Sequence, residues 1–295
     1  MHVLGQQLLN GLFQGSIYAL IAVGYTMVYG IIKLINFAHG DILMIGAFLA
    51  YVAVNSLGFS FVPAMLFSML GSAILGILIE KVAYKPLRNS PRITLLITAI
   101  GISLLLEYGM QLAQLAGPNP RAFPDMIKNN THRFLGLQIS NVQILIAVVT
   151  VMLVIALQFI VYRTKIGKAM RAASFDNEAS KLMGINVDNV ISFTFAIGSA
   201  LGAAAGVLFA MYYPVIDPLM GIMPGLKAFI AAVLGGIGII PGAMFGGIVL
   251  GLVEALTKSF DATAKFSDAI VFSILIIILL VRPAGLLGKL TREKV

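Results

Sequence analysis

The chain has 295 residues, of which 59% are hydrophobic and only 11% are charged, and its formal net charge is +8. A soluble domain carries about a quarter charged residues, so a water-soluble fold and nucleic-acid binding are excluded as interpretations of this composition. Several apolar runs of membrane-spanning length follow one another, which predicts an all-α polytopic membrane protein embedded in a lipid bilayer.

The first predicted span covers residues 7–30. Gly11 and Gly15 within it form a small-xxx-small pair, which favours the close approach of another helix in lipid. The N-terminus lacks the basic region and the small-residue cleavage site of a secretory signal peptide, so we expect this span to stay in the mature protein. The residues before the span carry almost no charge, which leaves the orientation of the N-terminus open.

Polar side chains then crowd into the short segment between the first span and the next apolar run, residues 42–54. Asn36 and His39 offer hydrogen-bond donors and acceptors, and Gly40 permits backbone angles that other residues resist. Polar groups at membrane depth are costly and are kept mostly where they face a cavity or a partner. We therefore predict a helix break here. Helix capping is the alternative, with Asp41 as a favourable acid in the first turn of the next helix.

The remaining apolar runs bring the prediction to about eight, or eight to nine, transmembrane helices. Five further spans are predicted at 61–84, 93–115, 141–162, 191–213 and 269–281. The run 226–256 is interrupted by several glycines and by Pro241, so it cannot be one straight helix. We predict two half-spans that meet near Pro241. Glycines repeat every fourth residue in 191–213 and 226–256, and we expect them to serve helix packing: Gly198, Gly202, Gly206, Gly242, Gly246, Gly247 and Gly251.

The connecting loops differ in charge, and this difference predicts the topology. Three segments rich in Lys and Arg are expected on the cytoplasmic side: 81–92, 163–190 and the tail from Arg282, which contains Lys289, Arg292 and Lys294. The other three loops are then expected on the opposite side: 117–140, 214–224 and 258–268. Prolines in 117–140 indicate a structured loop.

The longest charged segment in the chain is 163–190. Ala172, Phe175, Ala179 and Leu182 recur there at helical spacing, so one narrow apolar stripe faces another surface. The polar side chains lie away from that stripe: Ser174, Asn177, Glu178 and Lys181. Gly184 follows at the position where glycine commonly ends a helix. The pattern predicts a short helix–turn–helix on the membrane surface. The alternative is an ordinary loop that holds the membrane orientation through its positive charge.

No catalytic, cofactor or metal constellation is present in the sequence. Cysteine is absent and the three histidines are far apart, which argues against thiolate chemistry and a His-rich metal site. The segment 285–291 has the wrong spacing for a phosphate loop. The acids Asp41, Glu80, Glu107 and Glu254 have no obvious partner in sequence. We expect Glu107 and Glu254 to bond neighbouring helices, and Lys227 to snorkel from a span end. We therefore expect no enzyme and no cofactor.

The block 15–50 closely resembles the H-type permease of the branched-chain amino acid ABC importers. The runs Tyr-Thr-Met-Val-Tyr-Gly at 25–30 and Asn-Phe-Ala-His-Gly at 36–40 stand here as they do in that family. The resemblance extends more loosely over nearly the whole chain and includes the glycine-rich run 234–243 and the segment 282–288.

The charged segment carries a second resemblance. Glu178-Ala179-Ser180, with Gly184 four residues later, is similar to the Glu-Ala-Ala-x-x-x-Gly loop of ABC importer permeases, which docks into the ATPase subunit. Ser180 replaces the second alanine and keeps the side chain small. The resemblance implies that 163–190 is the coupling loop, with these residues in it: Arg171, Ala172, Phe175, Glu178, Ala179, Leu182 and Gly184.

Together these resemblances imply an ABC importer permease fold, with residues 1–295 forming a single transmembrane domain in the bacterial inner membrane and the C-terminus in the cytoplasm. They imply import of branched-chain amino acids from the periplasm. The implied partners are an M-type permease forming a heterodimer, two ABC ATPase subunits and a periplasmic amino-acid-binding protein. Since the energy would come from those ATPases, the chain would be a transport subunit.

Within such a transporter, the helix break is predicted to border the translocation pathway or its gate, through Asn36, His39, Gly40 and Asp41. The two broken regions, near 36–41 and 227–242, lie near opposite ends of the chain, as in inverted repeats with a pathway at their interface.

Other functions stay open from the sequence. A related permease for other amino acids, sugars, urea or amides would share the fold. A stand-alone secondary transporter or channel is expected to show coupled intramembrane acids and would not need the charged segment. A membrane-bound enzyme is disfavoured because the catalytic constellation is missing.

Overall fold

The computed structural model describes residues 2–33, 36–112, 114–134, 136–282 and 284–288, so Lys289, Arg292 and Lys294 of the predicted basic tail lie outside the described residues. The α-helices in these ranges are α1 (His2–Ile32), α2 (His39–Asn55), α3 (Phe61–Ile79), α4 (Arg92–Met110), α5 (Asn141–Arg163), α6 (Lys165–Phe175), α7 (Asn177–Leu182), α8 (Val187–Tyr212), α9 (Ile222–Gly235), α10 (Ile240–Lys258), α11 (Asp261–Ala264) and α12 (Ser267–Val281). A π-helical turn (Glu80–Tyr84) and a 3₁₀ turn (Lys85–Leu87) extend α3.

Six of these helices are long and apolar enough to cross a membrane: α1, α3 with its extension, α4, α5, α8 and α10. Three shorter apolar helices, α2, α9 and α12, pack with them. The structure thus confirms an all-α polytopic protein with broken helices. The predicted inverted repeat stays a prediction.

The centre of the molecule is built from α1 and α8, the most buried of the long helices. Hydrocarbon tails are as apolar as leucine, so helices associate in lipid through close packing of small residues. Gly11 and Gly15 of α1 face α10, where a methyl group on Gly15 would lie only 2.8 Å from Ile248 Cα. Gly247 of α10 packs in turn against Ala19. The predicted packing role of these glycines is confirmed.

A second close contact joins α2 to α8. A methyl group on Gly46 of α2 would lie 2.7 Å from Ala203 Cβ, and Gly206 of α8 packs on the backbone of Leu43. The glycine repeat of α8 therefore serves helix packing, as predicted. The imidazole of His39 also packs against this repeat, at Gly198 and Gly202.

The predicted break in the run 226–256 is present, between α9 and α10. Gly236 and Gly238 adopt φ angles of 105° and 94°, which side chains other than glycine resist. Pro241 lies in the first turn of α10, where its missing N–H leaves no extra carbonyl unpaired. The break comes before Pro241, and α10 is a complete span of 19 residues, so the prediction of two half-spans was wrong for its second half.

Four short strands lie at the end of the molecule where α1 begins. β1 (Arg121–Ala122) pairs with β4 (Val215–Ile216), and β2 (Thr131–Phe134) pairs with β3 (Leu137–Ser140), both antiparallel. The backbone of Gln138 also bonds the side chain of Gln6 of α1 at 2.8 Å. Two of the three loops predicted on one side, 117–140 and 214–224, therefore meet. The N-terminal end of α1 lies with them, a point that charge counting left open.

Candidate functional site

The segment between α5 and α8 folds as the predicted helix–turn–helix. Asp176 ends α6 and begins α7, and its carboxylate accepts the backbone N–H groups of Glu178 and Ala179, each at 2.9 Å. Gly184 ends α7 with a φ of 81°, while Ile185 N donates to Ser180 O at 3.0 Å in a Schellman motif. Local sequence signals thus determine this hairpin.

One face of the helix–turn–helix packs on the membrane helices, and it is formed by small and apolar residues: Gly167, Met170, Ala173 and Ser180. The apolar periodicity of the sequence did not distinguish this face. Arg171 belongs to the anchoring as well, because its guanidinium donates to Val161 O and lies 5.4 Å from the centre of the Tyr162 ring.

The opposite face carries the predicted stripe and points away from the chain. Phe175 is 95% exposed and Leu182 is 89% exposed, while Ala179 and Glu178 are exposed and Ala172 is half-buried. Met183, which the predicted stripe did not include, is 82% exposed beside Leu182. These three large apolar side chains form what we call the outer patch: Phe175, Leu182 and Met183. An apolar patch beside polar residues typically marks a protein interaction site.

The second predicted site, 36–41, is only partly a helix break. The backbone leaves α1 through Lys33, which has a φ of 58°, and the turn includes Asn36. His39 and Gly40, which we predicted within the break, are already helical and form the first turn of α2 together with Asp41, which begins this helix as predicted. Asp41 therefore occupies the acidic first-turn position that the capping alternative described.

All four residues of this site are buried inside the subunit. Tyr84 donates to Asn36 Oδ1 at 3.0 Å, and Ser103 of α4 donates to Asp41 Oδ2 at 2.5 Å. Gly40 packs against the start of α9, where a methyl group on it would lie 2.7 Å from the carbonyl oxygen of Gly221, the residue before α9, and 3.1 Å from Gly225 Cα. The site therefore joins α2 to three elements distant in sequence.

His39 fills a slot between α1 and α8. A methyl group on Gly24 would lie 2.7 Å from His39 Cε1, and one on Gly202 would lie 3.4 Å from it. The ring of Tyr25 lies 4.6 Å from the imidazole, centre to centre. His39 Nε2 and Asn36 Nδ2 have no hydrogen-bond partner within the described part of the chain, which makes these buried atoms candidates for a polar role.

A buried ion network, which spacing in the sequence did not reveal, joins four helices near the strand-bearing end. Lys227 Nζ of α9 lies 2.8 Å from Glu254 Oε1 of α10 and 2.7 Å from Asp268 Oδ1 of α12. Lys258 lies 2.6 Å from the same Glu254 oxygen, and Tyr18 of α1 donates to its other oxygen at 2.8 Å. Glu254 thus bonds neighbouring helices as expected. The expectation that Lys227 snorkels was wrong, because its side chain is only 7% exposed.

Glu80 forms a second network at the opposite end. It accepts hydrogen bonds from Arg88 and from Ser192 of α8, and Arg88 and Lys85 also bind Asp188 at 2.6 and 2.9 Å. The network ties the basic loop 81–92 to the start of α8. The sequence did show charged residues that interrupt apolar runs in both networks. It did not show which residues they pair with.

Two adjoining cavities open beside the helix–turn–helix, with volumes of about 300 and 620 Å³. Both are lined by Gly30 at the end of α1, Ser174 of α6, and Gly238 and Ile239 before α10. The larger one also touches Lys33, Ala284 and Gly288. The cavities thus bring 163–190 and the start of the tail together, and Lys85 and Arg88 tie the loop 81–92 to Asp188 of the same segment, so the three basic segments gather at one end.

Comparison with known proteins matches residues 7–279 to the family model of the branched-chain amino acid transport system permease component. The chain is 45% identical to the high-affinity branched-chain amino acid transport system permease protein BraD of Pseudomonas aeruginosa, over 98% of this chain and 97% of that protein. It is 43% identical to LivH of Escherichia coli, with the same coverage. It is 26% identical to the ribose import permease protein RbsC of Haemophilus influenzae, over 88% of this chain and 79% of that protein. These relatives are permease components of transport systems, which agrees with the prediction that the chain is a transport subunit and not an enzyme. With a near full-length family match and this identity, the chain belongs to the permease family of branched-chain amino acid transport systems.

Proposed function

We propose that the chain is the transmembrane permease subunit of an ATP-driven ABC importer that carries branched-chain amino acids from the periplasm to the cytoplasm across the bacterial inner membrane. The observation that carries this proposal is the 43–45% identity, over 98% of the chain, to BraD and LivH. Sugars are the second candidate substrate class, because the chain is also similar, at a lower identity of 26%, to a ribose import permease.

The structure is suited to moving an amino-acid zwitterion across the membrane. A zwitterion crossing about 30 Å of hydrocarbon needs a protein-lined route, because an unpaired charge in that region costs several kcal/mol. Helix ends inside the molecule, at the starts of α2 and α10, place backbone partial charges where they can face such a route.

The outer patch supports the need for ATPase subunits. Its three apolar side chains are at least 82% exposed at the end of the molecule where basic residues gather. We infer that the patch docks into an ATPase subunit, so that 163–190 is the coupling loop. A second, M-type permease would complete the membrane part as a heterodimer, two ATPases would drive it, and a periplasmic binding protein would deliver the substrate.

Reconstitution tests the function. The complete complex in proteoliposomes, supplied with ATP and binding protein, is expected to accumulate labelled leucine, isoleucine or valine and not labelled ribose. ATP-dependent accumulation of ribose without any branched-chain amino acid would contradict the proposal and favour the second candidate.

The proposed orientation places the charged loops and the C-terminus in the cytoplasm. Because the chain has no cysteine, a Ser174→Cys variant carries one reactive thiol in this subunit. We expect an impermeant maleimide to label it in inside-out vesicles and not in intact cells. A cysteine at exposed Thr131 in β2 should behave in the opposite way. Labelling of Ser174→Cys in intact cells would reverse the topology.

We also propose that Asn36, His39, Gly40 and Asp41 border the translocation pathway or its gate, since two of them bury polar atoms that have no partner among the described residues. The double variant Asn36→Leu/His39→Leu is expected to lower uptake roughly tenfold, about 1.4 kcal/mol in the barrier, while assembly and basal ATP hydrolysis persist.

The matched control is Ser72→Ala on α3, which removes a buried polar group that likewise lacks a partner in the described ranges. Normal uptake by the double variant would place the segment away from the pathway. Loss of subunit assembly would make its role structural.

A further inference from the structure

The helix–turn–helix leads directly into α8. Gly184 follows the last turn of α7, and α8 begins at Val187, only two residues further on. Asn186 caps α8, because its side chain accepts the backbone N–H of Asn189 at 3.1 Å. Asp188 therefore lies in the first turn of α8, four residues after Gly184. A shift of α7 is passed to this turn, since the connection between the two helices is so short.

The start of α8 is bonded to the extension of α3 through charged side chains. Arg88 donates to Asp188 Oδ1 at 2.6 Å and also to Glu80, whose carboxylate is 0% exposed. Ser192, one turn further along α8, donates to Glu80 Oε2 at 2.5 Å. Hydrogen bonds to ionised groups are stronger and better directed than those between neutral groups. The extension of α3 is therefore held to the first two turns of α8.

The same extension contacts the segment that begins α2. Its π-helical turn, Glu80–Tyr84, places the ring of Tyr84 5.3 Å from the ring of Phe195 of α8, centre to centre. Tyr84 is 2% exposed, and its hydroxyl donates to Asn36 Oδ1 at 3.0 Å. The backbone oxygen of Asn36 accepts the N–H of His39 at 3.1 Å, where α2 begins. Single π-helical turns are frequent at functional positions, and this one connects α8 to the start of α2.

We propose that Arg88 and Tyr84 are positioning residues that couple movement of the helix–turn–helix to the start of α2. The contacts form a series that we call the relay: Asp188, Arg88, Glu80, Tyr84 and Asn36. Consecutive π and 3₁₀ turns join Glu80 to Leu87, so this part of the relay moves as a unit. Movement of the outer patch thus reaches Asn36 through residues that do not touch the transported solute. The inference rests on the proposed function, because it takes 163–190 as the coupling loop and Asn36 as part of the pathway or its gate.

Two conservative variants test the relay in the complete complex. Asp188→Asn removes the charge that binds Arg88, at a side chain that is 45% exposed, and Tyr84→Phe removes a single oxygen atom. In proteoliposomes, each variant is expected to import several-fold less labelled leucine per ATP hydrolysed. ATPase retention and the hydrolysis stimulated by the binding protein should persist. Asp188→Glu keeps the carboxylate and is expected to import nearly as much leucine per ATP as the unmodified complex.

The double variant Asp188→Asn/Tyr84→Phe decides whether the two contacts act in one series. Two changes that break the same series are not additive, so the double variant should import about as much leucine per ATP as the more impaired single variant. Losses that multiply would overturn the proposal, because the contacts would then act independently. Unchanged import per ATP in both single variants would overturn it too. Loss of subunit assembly in Tyr84→Phe would make the hydroxyl structural, with the same consequence.

The ion network at the opposite end supplies matched controls. Asp268 is also 45% exposed and binds Lys227, while Tyr18 is also 2% exposed and donates to the buried Glu254. Asp268→Asn and Tyr18→Phe should leave the leucine imported per ATP unchanged, because the bonds that they remove lie outside the relay. Equal losses in these controls would show a general weakening of the protein and would contradict the proposal.

The unmodified complex separates this inference from the proposed function. If it imports leucine and the relay variants keep its import per ATP, the relay is wrong and the proposed function stands. If it imports no branched-chain amino acid, the proposed function is wrong. The import per ATP of the same variants is then compared with labelled ribose, the second candidate substrate, and the same outcomes decide.

Discussion

Replacing Phe175 with glutamate is expected to abolish ATP-driven uptake while the permease still folds and inserts. Phe175 is 95% exposed, so the change disturbs little within the chain. A buried aromatic anchor at an interface commonly contributes about 2 kcal/mol or more, and a charge there adds a desolvation cost. We therefore expect at least a roughly thirtyfold loss of ATPase retention, which co-purification of the ATPase subunits on a tagged permease measures.

The control for this variant is Asn189→Glu. Asn189 is exposed near the start of α8 at the same end of the molecule and lies outside the outer patch, so the same negative charge should leave uptake and ATPase retention unchanged. If Phe175→Glu and Leu182→Glu both retain the ATPases and transport normally, the segment 163–190 only fixes the membrane orientation.

Replacing Glu254 with alanine is expected to give the largest loss of stability. The side chain is 1% exposed, and its removal leaves Lys227 buried with only the half-exposed Asp268 as an ion-pair partner in the described network. Breaking a buried ion pair in this way costs about 3–5 kcal/mol. We expect a sharp fall in the amount of monodisperse permease after heating in detergent, measured by size-exclusion chromatography.

Two further variants serve as comparisons for the stability of Glu254→Ala. Lys258 is 46% exposed, so Lys258→Met should cost less than about 1 kcal/mol. The double variant Lys227→Met/Glu254→Met replaces the innermost pair by apolar groups and should recover much of the stability that Glu254→Ala loses. If Glu254→Ala is as stable as Lys258→Met, the network does not hold α9, α10 and α12 together.

Much of the molecule follows from signals that are local in sequence. Hydrophobic runs placed the spans, because each membrane helix satisfies its own backbone and needs about 20 apolar residues. The hairpin at 163–190 was equally predictable. Asp176 and Gly184 stop its helices through bonds to residues no more than five positions away. The motifs at 25–30 and 36–40 were sufficient by themselves to indicate the family.

The tertiary structure decided everything that depends on which helices are neighbours. Lys227 and Glu254 are 27 residues apart, and Arg88 and Asp188 are 100 apart, so spacing could not pair them and Lys227 was predicted to snorkel. The inner and outer faces of α6 could not be told apart either, since Ala172 and Ala173 are equally apolar in sequence. Helical periodicity gives the direction of each side chain around its own axis, but burial depends on the rotation of that axis against its neighbours. That rotation is determined by close contacts between distant residues, such as Gly24 with His39 and Gly15 with Ile248.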